Sequence, residues 1–186
     1  MNVSISFCTV SMNRLHHLML TLPANISDNL SYENLVHIVL DYNSTDGTEE
    51  WIKSNLGHYI LSGRLIYYRN PQPERFNMAH SKNMAVRLSN SDYVCLIDAD
   101  NYTGRGYAEY AASIFCAYKS CFITTISNKR NINQVDVLGR VCFKRADYET
   151  IEGFDEFMNN YGYDDFDFCN RLQRAGAKRI LLQDKK

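Results

Sequence analysis

The chain carries no strong excess of charge. Its 186 residues hold 20 lysines and arginines against 21 aspartates and glutamates, a formal net charge of −1. A dedicated nucleic-acid binder needs a basic surface, so that class is disfavoured. Long apolar runs are also missing: none approaches the roughly 20 residues that span a bilayer. The start, MNVSISFCTVSMNR, lacks the charged head and cleavage site of a signal peptide. The six cysteines, Cys8, Cys95, Cys116, Cys121, Cys142 and Cys169, form no C-x-x-C pair, and most lie in apolar segments. They read as buried reduced thiols suited to the cytoplasm, and without clustered ligands a structural zinc site is disfavoured. Glycine is absent where a phosphate loop would begin: the segment after the first strand-like run reads TVSMNRLHH. This counts against a G-x-G-x-x-G dehydrogenase and against a nucleotidyltransferase with a glycine-rich loop. There are no internal repeats, no low-complexity tracts and no linker strong enough to divide the chain.

The segments that are present alternate strand with helix. VSISFCTV (3–10), LVHIVLDYNS (35–44), RLIYYRN (64–70), DYVCLIDAD (92–100) and CFITTIS (121–127) are strand-like, and a short strand is expected over 139–144. Between them, LHHLMLTLPANI has helical spacing and is expected to end at Pro23. STDGTEEWIKSNL starts a helix that Asp46 or Thr45 can cap. FNMAHSKNMAVRLSN (76–90) is amphipathic, a helix is expected over about 103–119, and DDFDFCNRLQRAG opens a last helix at Asp164 with Gly176 near its end. Such alternation implies a mostly parallel sheet covered by helices, with ligands outside the carboxyl ends of the strands. Thr9, Asp41 and the pair Asp98 and Asp100 stand at three of those ends, and all are expected to line one cleft. N-x-[ST] triplets, those at Asn2, Asn25, Asn43 and Asn101 among them, are read as unused.

The D-x-D at the end of DYVCLIDAD calls for an explanation. Residues two apart in a strand share a side, so both carboxylates are expected to look the same way. Like charges held together need a cation, a hydroxyl donor or solvent between them.

Several segments, taken in order, resemble a family-2 glycosyltransferase of the GT-A fold: SISFCTVSMNR, LDYNSTDGT, AHSKNMAVRLSNSDYVCLIDADN and EGFDEFMNNYGYDDFDFCNRL. The last also resembles the acceptor region of chondroitin-type polymerases and β-1,4-galactosyltransferases. D-x-D alone is weak, but D-x-N-S-T-D-G-T, D-x-D and G-x-D-D-x-D in this order are jointly strong. The resemblance implies an α/β GT-A (nucleotide-diphospho-sugar transferase) fold over one domain, 1–186. Residues 1–101 would form the nucleotide-sugar-binding part and 102–186 the acceptor-binding part. It implies an inverting, metal-dependent transfer from a nucleoside-diphosphate sugar, UDP by expectation, to a glycan or other hydroxyl acceptor such as a growing polysaccharide.

Carried over residue by residue, the resemblance makes Asp100 a ligand of Mn²⁺ or Mg²⁺, with Asp98 on the metal, its water or the ribose. Asp41 would accept from a uracil N–H. Thr9 and Arg14 would hold the base. Lys82 and Asn83 would face the nucleotide, although many relatives have arginine where Lys82 stands, and the planar fork is lost. Asp165 would take the proton of the acceptor hydroxyl and Asp164 would bind acceptor hydroxyls. A loop of Gly153, Phe154 and Asp155 would lie beside the acceptor. Tyr161 and Tyr163 are each read as a sugar-stacking residue or a core residue. The five histidines all precede the D-x-D, so either Asp100 and the diphosphate hold the metal or the domain is minimal or truncated. Two rival readings stand: a non-catalytic sugar-nucleotide or glycan-binding module, against which the retained Asp165 position argues, and a nucleotide-sugar hydrolase. The expected location is cytoplasmic, with peripheral membrane contact left open.

Overall fold

A computed structural model describes residues 3–125, 140–158 and 163–182. Among these residues seven strands form one sheet: β1 (Ile5–Ser11), β2 (Leu35–Asp41), β3 (Leu65–Arg69), β4 (Tyr93–Leu96), β5 (Cys121–Thr125), β6 (Val141–Lys144) and β7 (Lys178–Leu182). Their order is β3-β2-β1-β4-β6-β5-β7. Pairing is parallel throughout β3-β2-β1-β4 and again between β5 and β7, while β6 runs antiparallel to both its neighbours. The mostly parallel α/β sheet expected from the sequence is therefore present. Among the described residues six helices cover it: α1 (Leu15–Asp28), α2 (Thr48–Leu61), α3 (Met78–Arg87), α4 (Tyr107–Ala117), α5 (Arg145–Thr150) and α6 (Asp164–Arg174).

Every residue of β1 is buried, because the strand is central and helices cover both sheet faces. Its side chains alternate between them. Cys8 and Val10 join Phe143, Phe168 and Leu172, whereas Ile5 and Phe7 join Tyr107, Phe115 and Ile123. A third cluster unites Leu18, Leu22 and Ile26 of α1 with Ile52 and Leu56 of α2 over Val39.

Two local expectations are corrected. Pro23 does not end the first helix but lies inside α1. The buried Leu22, Asn25 and Ile26 explain the continuation, since tertiary burial can outweigh one lost backbone hydrogen bond. Asn25 also shows what that triplet does. Its amide donates to the Asn101 carbonyl and its oxygen accepts from the Thr103 N–H. One turn later Asn29 donates to the Asn25 carbonyl and to Thr103, and accepts from the Ala108 N–H. The far end of α1 thus fastens the chain that follows the D-x-D. The second correction concerns the fourth strand, which ends at Leu96 rather than running to Asp100. Ile97 still donates to the Cys8 carbonyl, and then the Asn101 N–H closes a turn on the Asp98 carbonyl.

Among the described residues, no helix is long and apolar enough to cross a membrane. The cysteines form no disulfide, and all but Cys116 are buried. Residues 126, 127 and 139 of the expected strands lie outside the described residues.

Candidate active site

Strand order reverses at β1. The chain winds outward through β2 and β3, then returns to place β4 on the other side of β1. The loops leaving β1 and β4 consequently part, and a crevice opens between them. It is lined by Val10 and Met12 from β1 and its loop, Arg14 and His17 at the start of α1, Phe76 and Met78 at the start of α3, and Asp98, Ala99 and Asp100. Its volume is about 360 Å³.

Paired loops shape this opening. Asn13 has φ 56°; its N–H donates to Ser44 Oγ and its Oδ1 accepts from the Thr45 N–H. Asp46 serves two helices: it accepts from the Leu15 N–H that opens α1 and from the Thr48 N–H and hydroxyl that open α2. These hydrogen bonds outweigh burial and hold its carboxyl below the usual range.

Asp98 and Asp100 both face the crevice, although from a turn rather than a strand. Asp98 is half-buried and Asp100 exposed. Burial pushes the Asp98 carboxyl up to about 7; Lys82 opposes that shift, while Asp165, Asp100 and Asp164 add to it. Two carboxylates suit a hard divalent cation that keeps water and phosphate oxygens in its shell. Among the described residues, no three histidine, cysteine, aspartate or glutamate side chains converge into a complete protein cage. Arg14, exposed and on the same crevice, is the cation available to a phosphate or a base.

Four residues read as nucleotide contacts are not among those that line the crevice. Thr9 is buried and falls on the strand face opposite Val10, the residue that reaches the crevice. Asp41 is wholly buried, and its oxygens accept from the Ser44 N–H at 2.7 Å and the Tyr67 hydroxyl at 2.6 Å. It fastens the turn after β2 and ties that turn to Tyr67 of β3. Lys82 is paired with two carboxylates: its Nζ is 2.7 Å from Asp164 Oδ2 and 2.6 Å from Asp165 Oδ1. Asn83, also buried, donates to the Phe154 carbonyl and Glu156, and accepts from the Tyr148 hydroxyl and the Phe154 N–H. It fixes the loop of Gly153, Phe154 and Asp155.

Beyond the crevice, Asp164 is buried and Asp165 less so, both in the first turn of α6. Burial raises the Asp165 carboxyl; Lys82 opposes this and Asp164 adds to it. Asp167 pairs with Arg171, whose guanidinium also donates to the Ile151 and Gly153 carbonyls. Tyr163 is exposed and Phe168 is core, whereas Tyr161 lies outside the described residues.

Sequence reasoning passed over His17, Met12, Phe76 and Met78. His17 carried a usable signal, since it stands three residues after Arg14 and so on the same helix face. Phe76 carried none. It meets Tyr42 edge-on at 5.7 Å, and Tyr42 in turn bonds His80 Nδ1 at 2.7 Å. Tyr42, itself buried, thereby backs the lining residue Phe76.

Comparison with solved structures agrees with this architecture. A mannosyltransferase from Pyrobaculum calidifontis, in complex with GDP-Man and Mn²⁺, aligns with a TM-score of 0.78 at 19% identity, over 99% of this chain and 56% of its own. S. aureus TarS 1–349 in complex with UDP aligns with 0.78 at 16%, over 98% and 58%. Its complex with UDP-GlcNAc aligns with 0.78 at 15%, over 98% and 56%. The chain thus spans little more than half the length of these structures. No curated protein matches it in sequence. The profile of "Glycosyl transferase family 2" matches residues 6–170, and with that match the chain, which has the GT-A fold, belongs to glycosyltransferase family 2.

Proposed function

We propose that this domain transfers a sugar, with inversion, from a nucleoside-diphosphate sugar to the hydroxyl of a glycan, with UDP as the leaving nucleotide. The observation that carries the reading is the crevice at the sheet's reversal point, where Asp98 and Asp100 meet Arg14 and His17. The nucleotide would enter over Val10, Met12, Phe76 and Met78, and Arg14 would meet its phosphates or base. Bound at Asp98 and Asp100, Mn²⁺ or Mg²⁺ would neutralise the charge that grows on the leaving diphosphate. Asp165 would accept the proton of the acceptor hydroxyl as that oxygen bonds to the anomeric carbon. The bond from that carbon to the diphosphate breaks, and its electron pair leaves with UDP. Asp164, Tyr163 and the Gly153–Asp155 loop would border the acceptor.

Calorimetry with UDP tests the donor half. Binding should require Mn²⁺ and should be lost in Asp100→Ala. Equal affinity with and without metal would remove the metal from the proposal. Asp165→Asn tests the acceptor half: it should retain UDP binding and lose turnover of UDP-GlcNAc.

A further inference from the structure

Lys82 stands where the family resemblance led us to expect a nucleotide contact, yet its surroundings are of another kind. It is 2% exposed, among the most buried side chains of the domain. Its ammonium contacts Asp164 Oδ2 and Asp165 Oδ1, and lies 5.2 Å from the centre of the Phe154 ring. The Phe154 ring is stacked on Phe168 of α6 at 4.0 Å and 9°. Lysine offers three N–H donors on a compact head. Two are committed to carboxylates and an aromatic face closes off part of the rest. Reaching a phosphate would mean breaking a buried ion pair, which is costly.

The two carboxylates are not equivalent. Asp164 is the more deeply buried, with a side chain 5% exposed against 16% for Asp165. Asp164 therefore serves as the anchor. Asp165 is held by one oxygen, Oδ1, and no described residue donates to its Oδ2. The contact joins residues 82 and 83 positions apart in sequence, linking a helix of the nucleotide half to the helix that begins the acceptor side.

We propose that Lys82 is a positioning residue for Asp165: it fixes the carboxylate through Oδ1, keeps it ionised, and leaves Oδ2 to take the acceptor proton. This rests on the reading of Asp165 as the base. Lys82 itself gives up no proton, and the proton that moves comes from the acceptor hydroxyl. The charged and titratable groups around Asp165 are Lys82 from α3, Asp164 and Cys169 on α6, and Asp98 from the turn after β4. Against burial, the two carboxylates keep Lys82 protonated. One ammonium shared by two buried carboxylates cannot fully compensate either. Asp165 is thus left charged but more basic than an exposed aspartate, which suits a base.

The test is a carboxyl ¹³C NMR titration on the full chain, with the Asp165 resonance assigned by its loss in Asp165→Asn. In Lys82→Met, Asp165 should bind its proton at least tenfold more tightly, an upward shift of one pH unit or more. In Asp164→Asn the shift should be downward, because a like charge is gone and the ammonium is no longer shared. Asp164→Asn keeps the buried lysine paired, so it decides the matter if Lys82→Met does not fold. The acid limb of UDP-GlcNAc hydrolysis in Mn²⁺, with water in place of the acceptor, should move with the titration. An Asp165 titration within 0.3 unit of wild type in the folded variants overturns the proposal. Wild-type turnover in Asp165→Asn would instead overturn the base assignment, while the titration still reports on the clamp.

Discussion

Replacing Gly153 with alanine adds one methyl group where three constraints meet. The residue sits at φ 73°, in the left-handed region, which costs a side-chain-bearing residue about 1 kcal/mol. The new Cβ would lie 2.7 Å from both Asn83 Oδ1 and the Tyr148 hydroxyl, and 2.8 Å from Tyr148 Cζ. Neither neighbour is free to retreat. Asn83 Oδ1 accepts from the Tyr148 hydroxyl and the Phe154 N–H, both at 2.9 Å, and the Tyr148 ring stacks near Phe143. Displacing Asn83 gives up two buried hydrogen bonds, each about 1 kcal/mol net. The total is a loss of about 3–4 kcal/mol, with the loop beside Asp165 moved as well. Gly57 is the matched control: it lies within α2 with nothing within 4 Å of an added Cβ, so alanine there should stabilise by about 0.5–1 kcal/mol. Urea unfolding followed by far-UV circular dichroism measures both variants at constant slope. A Gly153→Ala midpoint that matches wild type would refute the account of Asn83 as the hub of this loop.

His37 should make the protein sensitive to acid. Burial, with Arg64 adding to it, lowers its pKa to about 3, against about 6.5 in an unfolded chain; the stabilisation is therefore complete above about 6.5 and is lost as pH falls towards 3. Between pH 6.5 and 5 this amounts to at most about 2 kcal/mol in urea unfolding, and the dependence should flatten in His37→Leu. Asp46→Ala removes an acceptor from the starts of both α1 and α2 and should cost about 1–2 kcal/mol, seen as a lowered melting temperature. Arg14→Ala should weaken UDP binding about tenfold by calorimetry without altering stability, as expected for one exposed charge-assisted contact, whereas Thr9→Val should leave the affinity unchanged. An affinity loss at Thr9 would contradict its placement on the far face of β1.

The order and type of most elements were legible because apolar periodicity is local. Strand-like runs and amphipathic spacing depend on neighbours within a few positions. The carboxyl-edge location of the D-x-D followed from alternation alone. The direction of individual side chains was harder to read. Thr9 and Val10 differ by one position, and only the seating of β1 between helices decides which of them meets the crevice. Lys82 and Asn83 form an ordinary helical dipeptide until Asp164, Asp165 and the Phe154 backbone arrive from the other half of the chain. The short helix α5 carried too few residues for a period to show. Pro23 misled because its local cost is real and was outweighed by burial elsewhere along the same helix.

One feature of composition explains how long loops are held beside the crevice with only three prolines to stiffen them. Asparagine side chains carry both a donor and an acceptor, so they can take the place of a missing strand neighbour. Asn13 stitches the loop after β1 to the loop after β2. Asn25 and Asn29 hold the segment that leaves Asp98 and Asp100. Asn83 holds both directions of the loop beside Asp165. These bonds join a helix or turn to residues far away in sequence, and Asn25, Asn29 and Asn83 are buried, where an unmatched amide would be costly. That cost forces register: a shifted loop would leave donor and acceptor unpaired together. The crevice therefore owes its shape to buried amides as much as to the sheet, and aspartate at these sites, which can accept but not donate when ionised, would not substitute.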